Sequence, residues 1–328
     1  MNRLLIPGLT VLMIAVAALS LSTGPSSVQA ASGLIEWMRG TANESSLIIG
    51  EIRLPRTLLA LAVGAALGLS GAALQGLLRN PLADASLTGA SPGAALGAAT
   101  VFYFGWLPSL GPLAPALAGL AGASIAMGLT LLIAGRSGPS VVLLAGLAIS
   151  TLSGAALAAV LNYAPNPFAM QELVFWLLGS VADRGLDHLM IIMPALALGG
   201  LLLWREAPFI NAVTLGETVA ASLGFDFARH ARNVVFAAAL LVGASVAVAG
   251  GIGFVGLVVP HLLRPWVGHR PDRLLLPSAI AGATLVGLAD VLIRNMPPGR
   301  ELKLGVLTAL VGAPLLIGLI VREKRRWL

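Results

Sequence analysis

The chain has 328 residues, 57% hydrophobic and only 10% charged, with a net charge of +6. A soluble domain carries about 25% charge, so the composition excludes a soluble protein, and apolar segments that run continuously without period-two alternation exclude a β-barrel. There is no cysteine, hence no disulfide and no thiolate metal site. The four histidines lack the ligand spacing that a channel for bare transition-metal ions needs. The basic residues are scattered between apolar runs, which indicates membrane topology and not a nucleic-acid patch.

A lipid-spanning helix takes roughly 20 apolar residues. The first run, 4–21, follows Arg3 and precedes Val28-Gln29-Ala30, and so imitates a secretory signal. It is long for a signal and leads into further spans, so it is read as a retained first helix. Spans follow near 53–78, 87–105, 112–134 and 140–162. A second set lies near 187–204, 231–249, 250–268, 274–293 and 303–321. Residues 231–268 admit another division, one long helix and a half-helix broken around Gly250-Gly251. The less hydrophobic stretch 163–186 is an external loop with a short helix from Gln171 to Gly179.

The predicted fold is therefore an all-α integral membrane protein of about ten spans, one transmembrane domain over 1–328. With both termini cytoplasmic, thirteen Lys and Arg fall inside and seven outside, which obeys the positive-inside rule. An internal echo at an offset of 179 pairs Arg53, Val63, Gly64, Gly71 and Pro81 with Arg232, Val242, Gly243, Gly250 and Pro260. It makes 53–162 and 231–321 candidate repeats, inverted because five spans separate them. Small residues at three- and four-residue spacing, Gly64, Gly68 and Gly71 or Gly89, Gly93 and Gly97, let helix backbones approach closely.

Three arginines carry the external chemistry. Arg53 and Arg56 flank Pro55 at the start of the second span, where proline suits a first helical turn. Arg294 ends the ninth, with Asp290 one turn earlier as a supporting i,i+4 partner. Guanidinium geometry suits receipt of carboxylates from a soluble docking partner, while interfacial snorkelling is the alternative. On the inner side, the cytoplasmic loop 205–230 contains Thr214-Leu215-Gly216-Glu217, in which Thr214 and Glu217 form a T-x-x-E capping box. A turn with Ala221 follows, and Gly224 closes it as a C′ residue. A self-capped helix of about eight residues is marginal alone in water, so the expectation is that a partner surface holds it.

No G-x-x-x-x-G-K-[ST] phosphate loop is present, since the only lysines are Lys303 and Lys324. Gly122-Ala123-Ser124 with His261 is too weak a pattern for an intramembrane protease. No enzymatic activity is expected of the chain itself.

The sequence resembles the FecCD family of ABC importer permeases from about residue 47 to 322. The resemblance rests on IRLPRTLLALAVGAALGLSGAALQGLLRNPLADASLTGAS, LLAG at 143–146, LGE at 215–217, GGIGFVGLVVPHLLR at 250–264, LPSAIAGATLVGLAD at 276–290 and ELKLGVLTALVGAP at 301–314. It implies a type II importer permease, a homodimer of ten-helix subunits in the bacterial inner membrane. Two cytoplasmic ATPase subunits, which bind the ATP and Mg, and a periplasmic binding protein are the implied partners. The cargo would be a metal chelate: ferric siderophore, haem or cobalamin. By resemblance, 214–226 is the segment that couples to the ATPase, Arg53, Arg56 and Arg294 receive the binding protein, and Ser137, Gly138, Pro139 and Ser140 form the cytoplasmic gate. Many members read E-L-P-[IV]-G where this chain has Glu301-Leu302-Lys303-Leu304-Gly305. An ion-coupled secondary transporter is the competing expectation, with Asp290 and His261 as its only plausible ionisable groups.

Overall fold

The computed structural model describes residues 4–24, 26, 28–41, 43–84, 88–135, 137, 139–163, 167–296 and 302–324. These residues are helical throughout the bundle. In chain order the helices are α1 Leu5–Ser22, α2 Ala30–Met38, α3 Glu44–Leu47, α4 Leu54–Leu77, α5 Ala90–Phe104, α6 Ala114–Ala134 and α7 Pro139–Asn162. There follow α8 Pro167–Leu177, α9 Leu189–Val213, α10 Glu217–Ser222, α11 Phe227–Ala249, α12 Val255–Leu263, α13 Leu275–Arg294 and α14 Leu304–Lys324. A π-helical turn over Ile48–Arg53 joins α3 to α4, so that one helical stretch of 34 residues runs from Glu44 to Leu77. Asn43 starts it, its side chain accepting from the Ser46 backbone N–H at 2.8 Å.

Among the described residues, seven helical stretches are long and apolar enough to cross a membrane. Those containing α4 and α11 are the most buried and form the centre, whereas α1, α7 and α9 present most of their surface outward. Helix α4 lies against α13 with almost no gap. A Cβ on Gly64 would sit 2.2 Å from the Gly282 carbonyl oxygen, and one on Gly68 would sit 2.1 Å from that of Ser278. The glycines are what allow this approach where hydrophobicity gives no drive for helices to associate. Gly93 and Gly97 serve the α5–α6 contact in the same way, against Gly122 and Ala118.

Three spans in the second half of the chain depart from the sequence expectation. The eighth predicted span, 250–268, is a shorter apolar helix over Val255–Val267. The chain breaks at Gly250 (φ +70), and α12 with its 3₁₀ turn Arg264–Val267 reaches only about 20 Å. The long helix plus half-helix division is the one observed. The sixth span does not stop at residue 204. It continues as α9 through Pro208 to Val213, because the charged pair that suggested an end, Arg205-Glu206, includes a buried Glu206 with partners on α11. That helix in turn starts earlier than expected, at Phe227, where the Asp226 side chain accepts from the Arg229 N–H at 3.2 Å.

The short helix expected at Gln171 to Gly179 is Pro167–Leu177, a few residues ahead of its expected place. Its open C-terminal carbonyls find donors in two other elements. Gly251 N–H donates to Leu177 O (3.2 Å), Gly305 N–H to Leu178 O (3.1 Å) and Leu304 N–H to Gly179 O (2.9 Å). The break after α11 and the first turn of α14 are thereby tied to one loop. Lys303, in place of the family's frequent proline, holds its ammonium 5.7 Å from the centre of the Phe175 ring on α8.

Candidate functional site

Polar side chains gather at the two ends of the bundle. At the first end, Asp290 near the close of α13 is 1% exposed and binds two arginines. Arg56 donates from Nε (3.0 Å) and Nη2 (2.8 Å) to Oδ1, and Arg294 donates from Nε (2.8 Å) and Nη2 to Oδ2. Arg294 also reaches the end of α1, donating to Ser20 O (3.0 Å) and Ser20 Oγ (2.6 Å). The expected i,i+4 pair is present, and the structure adds a third member from α4.

Arg53 is placed differently. It is 3% exposed and, among the described residues, pairs with no carboxylate. Its guanidinium donates to Leu21 O (2.9 Å) and to Ser26 O (2.6 Å) and Oγ (3.0 Å), fastening the stretch between α1 and α2. A Cβ on Gly24 would touch this guanidinium at 2.9 Å. Of the three arginines, Arg56 has the most exposed side chain, at 20%, against 6% for Arg294.

At the opposite end lies the segment expected to couple to a partner. The T-x-x-E capping box does not form. Because α9 runs on to Val213, Thr214 becomes its C-cap, with Oγ1 donating to Asn211 O at 2.6 Å. Helix α10 begins at Glu217 behind Gly216 (φ +108), which offers no side-chain acceptor. Glu217 thus stands at the first helical position, where it cannot reach back as a capping box requires, and instead lies 3.6 Å from Arg79. The C-terminal expectation does describe the structure. Gly224 (φ +91) donates to Ala221 O (2.9 Å) and Phe225 to Ala220 O (3.2 Å), which is a Schellman closure. Leu215 and Leu223 stand exposed at the two sides of this six-residue helix.

Below α10, a buried cluster joins α9 to α11. Glu206 accepts from Asn233 Nδ2 at 2.7 Å and shares a 2.6 Å hydrogen bond with His230 Nδ1. The His230 ring stacks on Phe209 at 5.1 Å. Buried Gln75 of α4 donates to the Gly256 and Leu257 carbonyls (3.2 and 3.1 Å) and accepts from Arg264 Nη2 (2.7 Å). Sequence reasoning missed Gln75, Glu206, His230, Asn233 and Arg264. The available signal was a carboxylate and an amide inside apolar helices, which are costly unless partnered. Of the gate residues, Ser137 lines a small cavity between the ends of α4 and α6 and the start of α11. Gly138 and the side chains of Pro139 and Ser140 lie outside the described residues.

A bundle of long apolar helices around a glycine-packed centre, with charge confined to its two ends, defines a multi-pass membrane transport subunit. The FecCD transport family model matches residues 12–322. The chain is 36% identical to the hemin transport system permease protein HmuU of Yersinia pestis, covering 99% of this chain and 97% of that one. It is 40% identical to the vitamin B12 import system permease protein BtuC of Salmonella typhi, covering 85% of each. It is 38% identical to the ABC transporter permease protein YvrB of Bacillus subtilis, covering 85% and 80%. A solved structure of an ABC transporter of metal-chelate type, in an inward-facing conformation, superposes with a TM-score of 0.84 at 31% identity, covering 97% and 98%. The chain belongs to the FecCD transport family. It is a permease subunit of the ABC importer class.

Proposed function

We propose that this chain, as a homodimer, forms the path by which a metal chelate (ferric siderophore, haem or cobalamin) crosses the bacterial inner membrane. Energy comes from two cytoplasmic ATPase subunits that bind the ATP and Mg, and cargo from a periplasmic binding protein. The chain itself holds no cofactor. The relatives named above support the substrate class, and the charge bias supports a cytoplasmic position for the α10 end and for both termini. Residues 53–162 and 231–321 serve as the two repeat-like halves.

The observation that carries the reading is α10. A six-residue helix flanked by exposed Leu215 and Leu223 lacks the length to be stable alone, so a partner covers it. Thr214, Leu215, Gly216, Glu217, Ala221 and Gly224 are its coupling residues. At the other end Arg56 meets the binding protein first, with Arg294 and Arg53 behind it, and Ser137 to Ser140 close the inner side. Movement of α10 tilts the spans and alternates access to a cavity between the two copies. An ion-coupled mechanism fares worse, because Asp290, its main candidate, is held by two arginines at the end of a span. The test is reconstitution in liposomes with the ATPase and binding protein. ATP-dependent uptake is expected, and deletion of residues 216–224 should abolish both uptake and ATPase co-purification. Uptake by this chain alone, or full ATPase recovery with the deletion, refutes the proposal.

A further inference from the structure

A cavity of about 200 Å³ opens at the α10 end, lined by Gln75, Arg79, Thr214, Arg264, His269 and Leu274. It lies where α4 and α9 end, where the turn after α12 ends and where α13 begins, which is the level at which helices leave the hydrocarbon. Its arginine is fixed in advance. The buried Gln75 amide is pinned by the Gly256 and Leu257 carbonyls, so its Oε1 is aimed at Arg264 Nη2. Arg264 Nε is buried and has no hydrogen-bond partner among the described residues. Leu274, the N-cap of the 20-residue α13, supplies no side-chain cap to the N–H groups of Leu275 and Leu276, the two that precede Pro277.

The sign of the field follows from a short count. The negative ends of α4 and α9 and the positive end of α13, each worth about half a charge, leave about half a negative charge. Against this stand the two guanidiniums of Arg79 and Arg264, with the carboxylate of Glu217 nearby, which is 3.6 Å from Arg79 with both side chains over 40% exposed. Such a pair is weak and readily exchanged. Asp272, the other nearby acid, is engaged by Arg270 at 2.6 Å. The site has cationic donors to spare.

We propose that this cavity binds the phosphate of an anionic phospholipid headgroup. Basic pockets between spans at the membrane boundary suit such headgroups. The surroundings suit the rest of a lipid. Exposed Leu262, Trp266 and Leu276 flank the pocket in sequence, with the indole suited to an interfacial position. Leu263, the residue before Arg264, borders an open apolar groove of about 440 Å³ between α1, α12, α13 and α14, which offers room for an acyl chain. A bound phosphate competes with Glu217 for Arg79 and so loosens the first residue of α10. This last link rests on the coupling role proposed above; the lipid binding does not.

The test uses the purified full-length chain in detergent, titrated with phosphatidylglycerol, phosphatidylcholine or inorganic phosphate and read by native mass spectrometry. Phosphatidylglycerol should bind at least about tenfold tighter than phosphatidylcholine. Arg264→Gln and Arg79→Gln should each reduce that preference about fivefold, while Arg273→Gln, an exposed arginine outside the pocket, should leave it unchanged. Arg79 is itself a surface residue, so its variant tests the site without threatening the fold. An unchanged preference in both pocket variants, or an equal loss in Arg273→Gln, overturns the proposal. Displacement of the lipid by millimolar inorganic phosphate overturns it in favour of a soluble anion. Loss of ATPase co-purification with lipid binding intact overturns it in favour of a partner's carboxylate.

Discussion

One carboxylate at Asp290 holds two guanidiniums from different helices, and this asymmetry predicts how substitutions will rank. Losing Arg56 leaves Asp290 paired with Arg294. Losing the charge of Asp290 leaves two cations facing each other, one of them on a side chain only 6% exposed. Removing one member of a buried pair costs about 3–5 kcal/mol because the other is left uncompensated. Asp290→Asn should therefore lower the thermal unfolding temperature markedly, and Arg56→Gln clearly less, as read by fluorescence-detected unfolding in detergent. Equal shifts in the two variants would show that Asp290 does not organise the cluster. The same geometry narrows which of the three arginines the docking proposed above can use. Arg53 spends its donors on Leu21 and Ser26, so reversing its charge would damage the subunit itself.

Helix packing predicts opposite outcomes for chemically identical changes. Gly64→Ala drives a methyl into the Gly282 carbonyl at 2.2 Å, whereas a Cβ on Gly128 meets nothing within 4 Å. Overpacking costs about 1–3 kcal/mol, while alanine gains up to about 1 kcal/mol of helix propensity over glycine. Gly64→Ala should then lose thermal stability and Gly128→Ala hold or gain it; a loss of equal size in both would refute the close α4–α13 contact. The glycine spacing of α4 was legible in the sequence for this reason, since the pattern and the packing are the same fact. The second half of the chain was less legible. Hydropathy treats a charged residue as a boundary, so Arg205-Glu206 hid the last turns of α9, and Thr214 was assigned to a helix start when it closes the helix before. The carbonyl ties between α8, Gly251 and Gly305 join residues distant in sequence and leave no periodic trace. At the arginine end, the i,i+4 spacing announced Asp290–Arg294, but the partner 234 residues away, Arg56, required the fold.

At the scale of the whole molecule, a polar cluster links the two helices that flank α10, which makes the path of coupling testable. Glu206 on α9 holds His230 and Asn233 near the start of α11, and α11 is among the most buried helices of the bundle. A push on α10, whose chain connects α9 to α11, reaches the centre only if those two helices move together at this point. Glu206→Ala removes that tie and leaves the exposed Leu215 and Leu223 in place, so the ATPase should still co-purify. Glu206 is buried, and its two partners lose their acceptor, so stability should fall by about 1–3 kcal/mol. The informative quantity is chelate transported per ATP hydrolysed in liposomes. We expect that ratio to fall severalfold while hydrolysis continues, since the partner would turn over against a bundle that no longer follows it. Uptake and hydrolysis declining in proportion would instead mean that the α9–α11 tie supports folding alone, and that movement reaches the centre by another route.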